Sequence, residues 1–517
     1  MTGFGSGRRA RVLIAALLLA LLVPLVPGSY QSVAAQDATG GPDLGAEFYD
    51  PPACSPAGVN GLVVYQTTAD DGITPERSLV VAGQDGRTVR TIKLSGTPIR
   101  LMATPAPNMA VVITESSDQV ATRVEVIDAG RGFRYRLAIP RADIGGLIYP
   151  SPATIKSSGT RYMVLTNSLQ NVAYLVDLVD GVATDLMAVA EHRAGHGDLT
   201  LIQATVAPDD RTVLFQTDDA TILIPTDRPN GDRLVASGDT ASGFNYAANG
   251  SLLLFNRAIA GDQVEIVLLD TEKLTERQLA VGDDLVSATP LPNGTAAILV
   301  SREALSVIDF EYRAQAQIGE IDGDVSSMLI GPNSGTVAYL VTKTDQAVWY
   351  WANLRSGEIN ALPDVAGLTP VAAPDFPRWV VFTPAGVISS SGPGGQVYSS
   401  LDLSTGKTNQ LFTTVAGTSY LPPVVSPGAG RYALLPWITG GVQNIVSLDN
   451  RTGISQPAFE SRAVSGVLSP DGCWAAVTRQ IGERTANRLQ IVLIPLDGSD
   501  AVIKSAAGFA PVWLVGS

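Results

Sequence analysis

The sequence predicts an all-β protein assembled from small repeated sheets, and three observations carry that prediction. From Gly61 to the end, apolar runs of four to seven residues alternate with turn clusters. The 51 glycines and 33 prolines supply the turns. No stretch sustains a long helical period with caps at its ends.

The strands come first. Leu62-Val63-Val64-Tyr65, Ala110-Val111-Val112-Ile113, Thr212-Val213-Leu214-Phe215, Leu252-Leu253-Leu254-Phe255 and Ala296-Ala297-Ile298-Leu299-Val300 are representative. Runs this short and this continuous suit strands covered on both faces. Two turn motifs punctuate them. One is a Pro or Ala followed by Asn, Asp or Gly and then a β-run. It stands at Pro107-Asn108, Pro208-Asp209-Asp210, Ala248-Asn249-Gly250, Pro292-Asn293-Gly294, Pro332-Asn333-Ser334-Gly335, Pro427-Gly428 and Ser469-Pro470-Asp471-Gly472, with looser copies at Ser151-Pro152 and Pro374-Asp375. Proline presets φ, and Asn, Asp and Gly tolerate positive φ, as a tight hairpin requires. The other motif closes a later strand, as at Val176-Asp177-Leu178, Leu269-Asp270-Thr271, Asp402-Leu403-Ser404-Thr405-Gly406 and Asp449-Asn450-Arg451-Thr452-Gly453.

The first motif recurs every 40 to 53 residues, roughly, and each interval has room for four strands. That period predicts a single closed β-propeller of seven to ten four-stranded blades. Segments 187–199 and 385–400 read as loops or excursions between strands. The paired motifs resemble the WD40-like, TolB-type propeller repeat, most closely at Ser469-Pro470-Asp471-Gly472 and Asp402-Leu403-Ser404-Thr405-Gly406. The resemblance spans nearly all of residues 61–517 and implies a fold rather than an activity.

The chain ends are expected to close the ring. The first blade opens directly on Leu62, and the chain finishes with an orphan strand, Ala510-Pro511-Val512-Trp513-Leu514-Val515. Cys54 and Cys473 are the only cysteines. An even count in an exported chain reads as one disulfide, with two separate thiols as the other reading. A bridge between them would cross the seam. It would stabilise the fold by on the order of 5–6 kcal/mol in the chain-entropy model.

Residues 1–35 read as a signal peptide. Arg8, Arg9 and Arg11 precede the apolar run Val12–Val26, and Val33-Ala34-Ala35 is a small-residue cleavage site. The run is too short for a membrane span and is followed by no other long apolar stretch. Residues 36–60 form a flexible N-terminal arm and residues 61–517 the propeller. Localisation in the cell envelope, the periplasm or the exterior follows. The whole chain carries a net charge of −14, and losing three arginines with the leader makes the remainder more acidic still. Nucleic acid is therefore not an expected partner.

Few constellations carry chemistry. His192 and His196, the only histidines, stand four apart beside Glu191 and Asp198 and are candidate metal ligands if helical. No Gly-x-Ser-x-Gly elbow or phosphate loop is present. Paired acids at Asp70-Asp71, Asp209-Asp210, Asp218-Asp219 and Asp283-Asp284 suit either turns or glycosidic chemistry. Asp402–Lys407 also resembles the quinoprotein dehydrogenase repeat, but Leu411-Phe412 replace its docking tryptophan, so no cofactor is expected. Trp349-Tyr350-Trp351 is the one aromatic cluster, with Trp349 and Trp351 on one strand face. These two are candidates for ligand stacking or for packing between blades. The expected function is non-enzymatic binding of a protein or glycan partner as a scaffold module. The alternative is a glycoside hydrolase or lyase using paired carboxylates in the central funnel.

Overall fold

A computed structural model describes Cys54 and residues 61–514 apart from short stretches, the longest being 116–121, 140–148, 151–160, 371–378, 385–396, 425–430, 482–487 and 498–504. The leader, nearly all of the arm, His196 and Asp70-Asp71 lie outside the described residues, as do all or part of five turn motifs.

The chain is a β-propeller of ten blades. Eight are separate four-stranded antiparallel sheets. The ninth and tenth share the long strand Ser455–Leu468, so that seven strands form one continuous ladder. The first half of that strand pairs with Val442–Asp449 as the outer edge of blade 9, and its second half with Trp474–Ile481 as the inner edge of blade 10. Ten is the upper end of the range that the turn spacing predicted.

Middle strands are buried on both faces. Ala296–Ser301 in blade 6 is buried at every position, because a blade on each side covers it. Outermost strands such as Thr275–Gly282 in blade 5 alternate exposed and covered residues. The core is accordingly a series of apolar clusters between successive blades. One joins Met102, Val111, Ile113 and Val126 of blade 2 to Met163, Leu165 and Tyr174 of blade 3. Another joins Leu79, Val81 and Ile92 of blade 1 to Ala110, Val112 and Ile127 of blade 2.

The turns explain the repeat. In the first hairpin of a blade, Asp209, Asn249, Asn293 and Asp471 each accept a hydrogen bond from the backbone N–H two residues on. In the last hairpin, Asp177, Asp270, Asn353, Asp402 and Asp449 do the same. Four residues after each of these stands a left-handed residue, a glycine except for Leu274 in blade 5, and Asp309 with Arg313 repeats the arrangement in blade 6. Asp402 is the most enclosed. Its two oxygens take the Ser404 N–H, the Ser404 hydroxyl and the Thr405 hydroxyl at 3.0, 2.6 and 3.1 Å. The Asp-x-Ser-Thr-Gly signature is thus a closed local hydrogen-bond set followed by a residue that permits positive φ.

The ring closes through both chain ends. Phe509–Leu514 pairs antiparallel with Leu62–Thr68 and becomes the innermost strand of blade 1. Cys54 and Cys473 form a disulfide with their Cα atoms 5.6 Å apart, 419 residues distant in sequence. Across the seam, Val63, Tyr65 and Trp513 of blade 1 pack on Ala476, Ile491 and Leu493 of blade 10.

Two sequence expectations need correction. Segment 187–199 is not all loop, because Leu186–Ala194 forms an α-helix between blades 3 and 4. Asp185 caps its start by accepting from the Ala188 N–H, and left-handed Gly195 ends it. Leu186, Met187 and Ala190 bury its inner side. The excursion 385–400 also ends early, since Val397–Asp402 is the third strand of blade 8.

Candidate functional site

The inner edge of the ring is set by the first strand of each blade, which in most blades carries a register shift near its start. The shifts fall between Pro98 and Arg100, Leu201 and Gln203, Leu285 and Ser287, Val325 and Ser327, and Ala463 and Ser465. Each leaves one extra residue out of the ladder: Ile99, Ile202, Val286, Ser326 and Val464. A bulge of this kind re-aims the side chain of the extra residue. Ile99, Ile202 and Val286 are 43, 60 and 48 % exposed, high for aliphatic residues in a protein whose middle strands are fully covered. Among the described elements, the charged residues on these innermost strands are Arg100 and Asp324, with Glu460 and Arg462 on the long strand shared by blades 9 and 10.

Two of the paired acids, Asp209-Asp210 and Asp218-Asp219, do not converge. Asp209-Asp210 belongs to a hairpin turn at one end of the strand Thr212–Thr217, and Asp218-Asp219 lies at the other end. A strand of that length separates them by roughly 20 Å. Asp209 accepts from the Arg211 N–H, Asp210 from the Arg161 N–H of blade 3, and Asp218 from the Thr200 N–H. Burial works against the charged form of Asp177 in blade 3. The Arg161 guanidinium and the Asp180 and Val179 N–H groups outweigh it and hold the carboxyl below its usual range. These carboxylates organise backbone at turns.

His192 lies exposed on the helix Leu186–Ala194, whereas His196 follows the Gly195 terminator and is outside the described residues. Among the described residues no three His, Cys, Asp or Glu side chains gather as metal ligands. Trp349 and Trp351 do share a strand face, as alternation required, but they are only 0 and 4 % exposed. Trp349 meets the Phe382 ring of blade 8 edge-on at 5.2 Å, and the Trp351 indole N–H donates to the Leu403 carbonyl at 2.7 Å. Both rings fill the gap between blades 7 and 8, so neither offers a face to a ligand.

One buried carboxylate escaped the sequence reading. Glu125, on the third strand of blade 2 (Thr122–Asp128), has a side chain 1 % exposed. It accepts from Arg134 Nη1 at 2.7 Å, from the Ser95 N–H at 3.3 Å, from the Ser95 hydroxyl and from the Thr114 hydroxyl at 3.4 Å. Ser95 belongs to the connection entering blade 2, so Glu125 fastens that connection to the sheet.

No helix among the described residues is long and apolar enough to cross a membrane. No family model matches the chain, and no curated protein matches it either. Solved structures do resemble it. TolB from Acinetobacter baumannii is 14 % identical, with 63 % of this chain and 85 % of that one covered, at a TM-score of 0.27. Oligogalacturonate lyase from Vibrio parahaemolyticus is 11 % identical over 77 % of this chain and 99 % of that one, at 0.37. The β-propeller domain of the Trilobed protease from Pyrococcus furiosus is 11 % identical over 60 % and 97 %, at 0.33. Likeness at this level concerns the course of the chain and carries nothing about activity.

Proposed function

We propose that this chain is an exported, non-enzymatic β-propeller that binds a protein or glycan partner in the cell envelope or outside the cell. One observation carries the reading: the innermost strands expose aliphatic bulge residues, and among the described residues Asp324 is the one carboxylate on an innermost strand apart from Glu460 on the strand shared by blades 9 and 10. Glycosidic chemistry by paired acids needs two carboxyl groups about 5–9.5 Å apart. Exposed Ile99, Ile202 and Val286 instead suit apolar contact with a partner. The Cys54–Cys473 disulfide fits an oxidising compartment, in keeping with the leader read from residues 1–35.

The test is capture of partners by immobilised protein lacking residues 1–35, from an envelope fraction and from a glycan array. The reading expects a stably retained partner whose capture is lost in an Ile202→Asp, Val286→Asp double variant. Conversion of a glycan without retention contradicts it.

A further inference from the structure

We propose that the outer cleft between blades 1 and 2 is a docking site for an extended acidic polypeptide segment. This deepens the binding reading above by naming the chemistry of one partner and a second surface.

The register of the two sheets builds the cleft. In blade 1, Leu79 pairs with Ile92 and Val81 with Arg90. Leu79, Val81 and Ile92 all pack towards blade 2, so Arg90 faces blade 2 as well, and strand alternation adds Arg77. In blade 2, Ile127 pairs with Arg134, Glu125 with Arg136, and Thr114 with Arg123. Ile127 packs on blade 1, so all three arginines share that face. Five guanidinium groups therefore line facing walls, with Glu125 the one acid among them. Glu125 is committed to Arg134 and to Ser95. The Arg90 and Arg123 Nε atoms are buried and have no hydrogen-bond partner. Leaving buried donors unmade is costly, and both side chains are half-buried rather than sealed, so an oxyanion in the cleft gains charge-assisted contact with the open part of their guanidinium groups.

The cluster is specific to this place. The whole chain has a net charge of −14, yet this one cleft is strongly basic. Cations can blunt the free edge of a sheet, but the outermost strands of blades 3, 6 and 7 (Val182–Asp185, Gln315–Glu320 and Ile359–Ala361) carry none.

Spacing selects the partner. Arg134 and Arg136 lie two residues apart on one face of a strand, a repeat of about 6.6–6.8 Å. Alternate side chains of an extended peptide have the same repeat, so carboxylates at every second residue match the arginines, whose planar forks suit them. Thr88–Lys93 and Phe133–Arg136 also end their sheets and leave free strand edges beside the cleft.

The experiment uses protein lacking residues 1–35 and two dye-labelled peptides of equal composition, read by fluorescence anisotropy. One alternates Glu with Thr; the other groups all its Glu residues together. We expect the alternating peptide to bind more tightly. Its affinity should fall with rising salt and by at least about tenfold in an Arg123→Gln, Arg136→Gln double variant. That variant should keep the thermal midpoint of the parent, and Arg228→Gln on blade 4 should bind like the parent. Equal affinity for the grouped peptide, unchanged binding by the double variant, or binding of polyuronate or anionic vesicles in place of peptide would each overturn the assignment. If capture through Ile202 and Val286 persists while peptide binding fails, the cleft assignment falls and the binding reading stands.

Discussion

Blades diverge from the axis outward, so every pair leaves a wedge that widens toward the rim, and two of these wedges are filled in opposite ways. Between blades 7 and 8, the third strand of blade 7 (Gln346–Asn353) inserts Trp349 and Trp351 against Val380, Phe382 and Leu401. Both indole N–H groups find backbone carbonyls, on Leu368 and Leu403. Between blades 1 and 2, the third strand of blade 1 (Pro75–Gly83) supplies the smaller Leu79 and Val81, and arginines line the outer part. A wedge filled by rings is dry and rigid. A wedge lined by guanidinium groups is held by long flexible arms and keeps charge available. Both wedges stabilise the ring, since an apolar cluster also closes the inner part of the 1/2 wedge, and its arginine-lined outer part is where we place an anionic partner.

The largest effect expected from this contrast is at Trp349. Trp349→Ala should cost about 3–5 kcal/mol, because a fully buried indole leaves a cavity that sheets on both sides cannot close. Urea denaturation checks this, and a loss under about 1 kcal/mol would mean that the 7/8 wedge is not closely packed. The glycines that end the last hairpins give a finer comparison. Gly406, at φ +69°, accepts the Trp351 ring so closely that a β-carbon would stand 2.7 Å from it. Gly132, at φ +81°, lies under the Arg90 guanidinium, where a β-carbon would meet Nη1 at 2.5 Å. Both lose about 1–2 kcal/mol on substitution by Ala from left-handed strain. Gly406→Ala should lose clearly more than Gly132→Ala, since an indole locked between blades cannot move aside and the end of an arginine can. Equal losses would show that the arginine wedge is as rigid as the aromatic one. The smallest effect belongs to Glu125→Gln. The amide still accepts from Ser95 and Thr114, so stability should fall by only about 1 kcal/mol. Binding of the alternating acidic peptide should strengthen, because the one carboxylate of the cleft is gone. A variant that weakens peptide binding would contradict the charge argument.

Much of the fold was legible because turns impose local chemical demands. Asp402, Ser404, Thr405 and Gly406 satisfy theirs within five residues, and so do Ser469, Asp471 and Gly472. Blade number was harder to read, since the strand shared by blades 9 and 10 runs from Ser455 to Leu468 without a turn between them. The helix at Leu186–Ala194 escaped notice because nine residues give too little period, although its Asp185 cap and Gly195 stop are visible in retrospect. The pairing of Trp349 with Trp351 on one face followed from alternation, but whether that face met solvent or a neighbour depended on the next blade. The arginine cleft was out of reach for the same reason. Arg77, Arg90, Arg123, Arg134 and Arg136 come from four strands of two sheets, and only register puts them together. The Arg134-Tyr135-Arg136 alternation was its one local trace.

Ten blades hide their faces against one another around a closed circle whose two ends are fastened. Proteolysis of the unreduced protein followed by mass mapping tests it most directly. A fragment containing Cys54 joined to a fragment containing Cys473 within one chain is the predicted product. Free thiols at both positions, or a bridge only between separate chains, would contradict it.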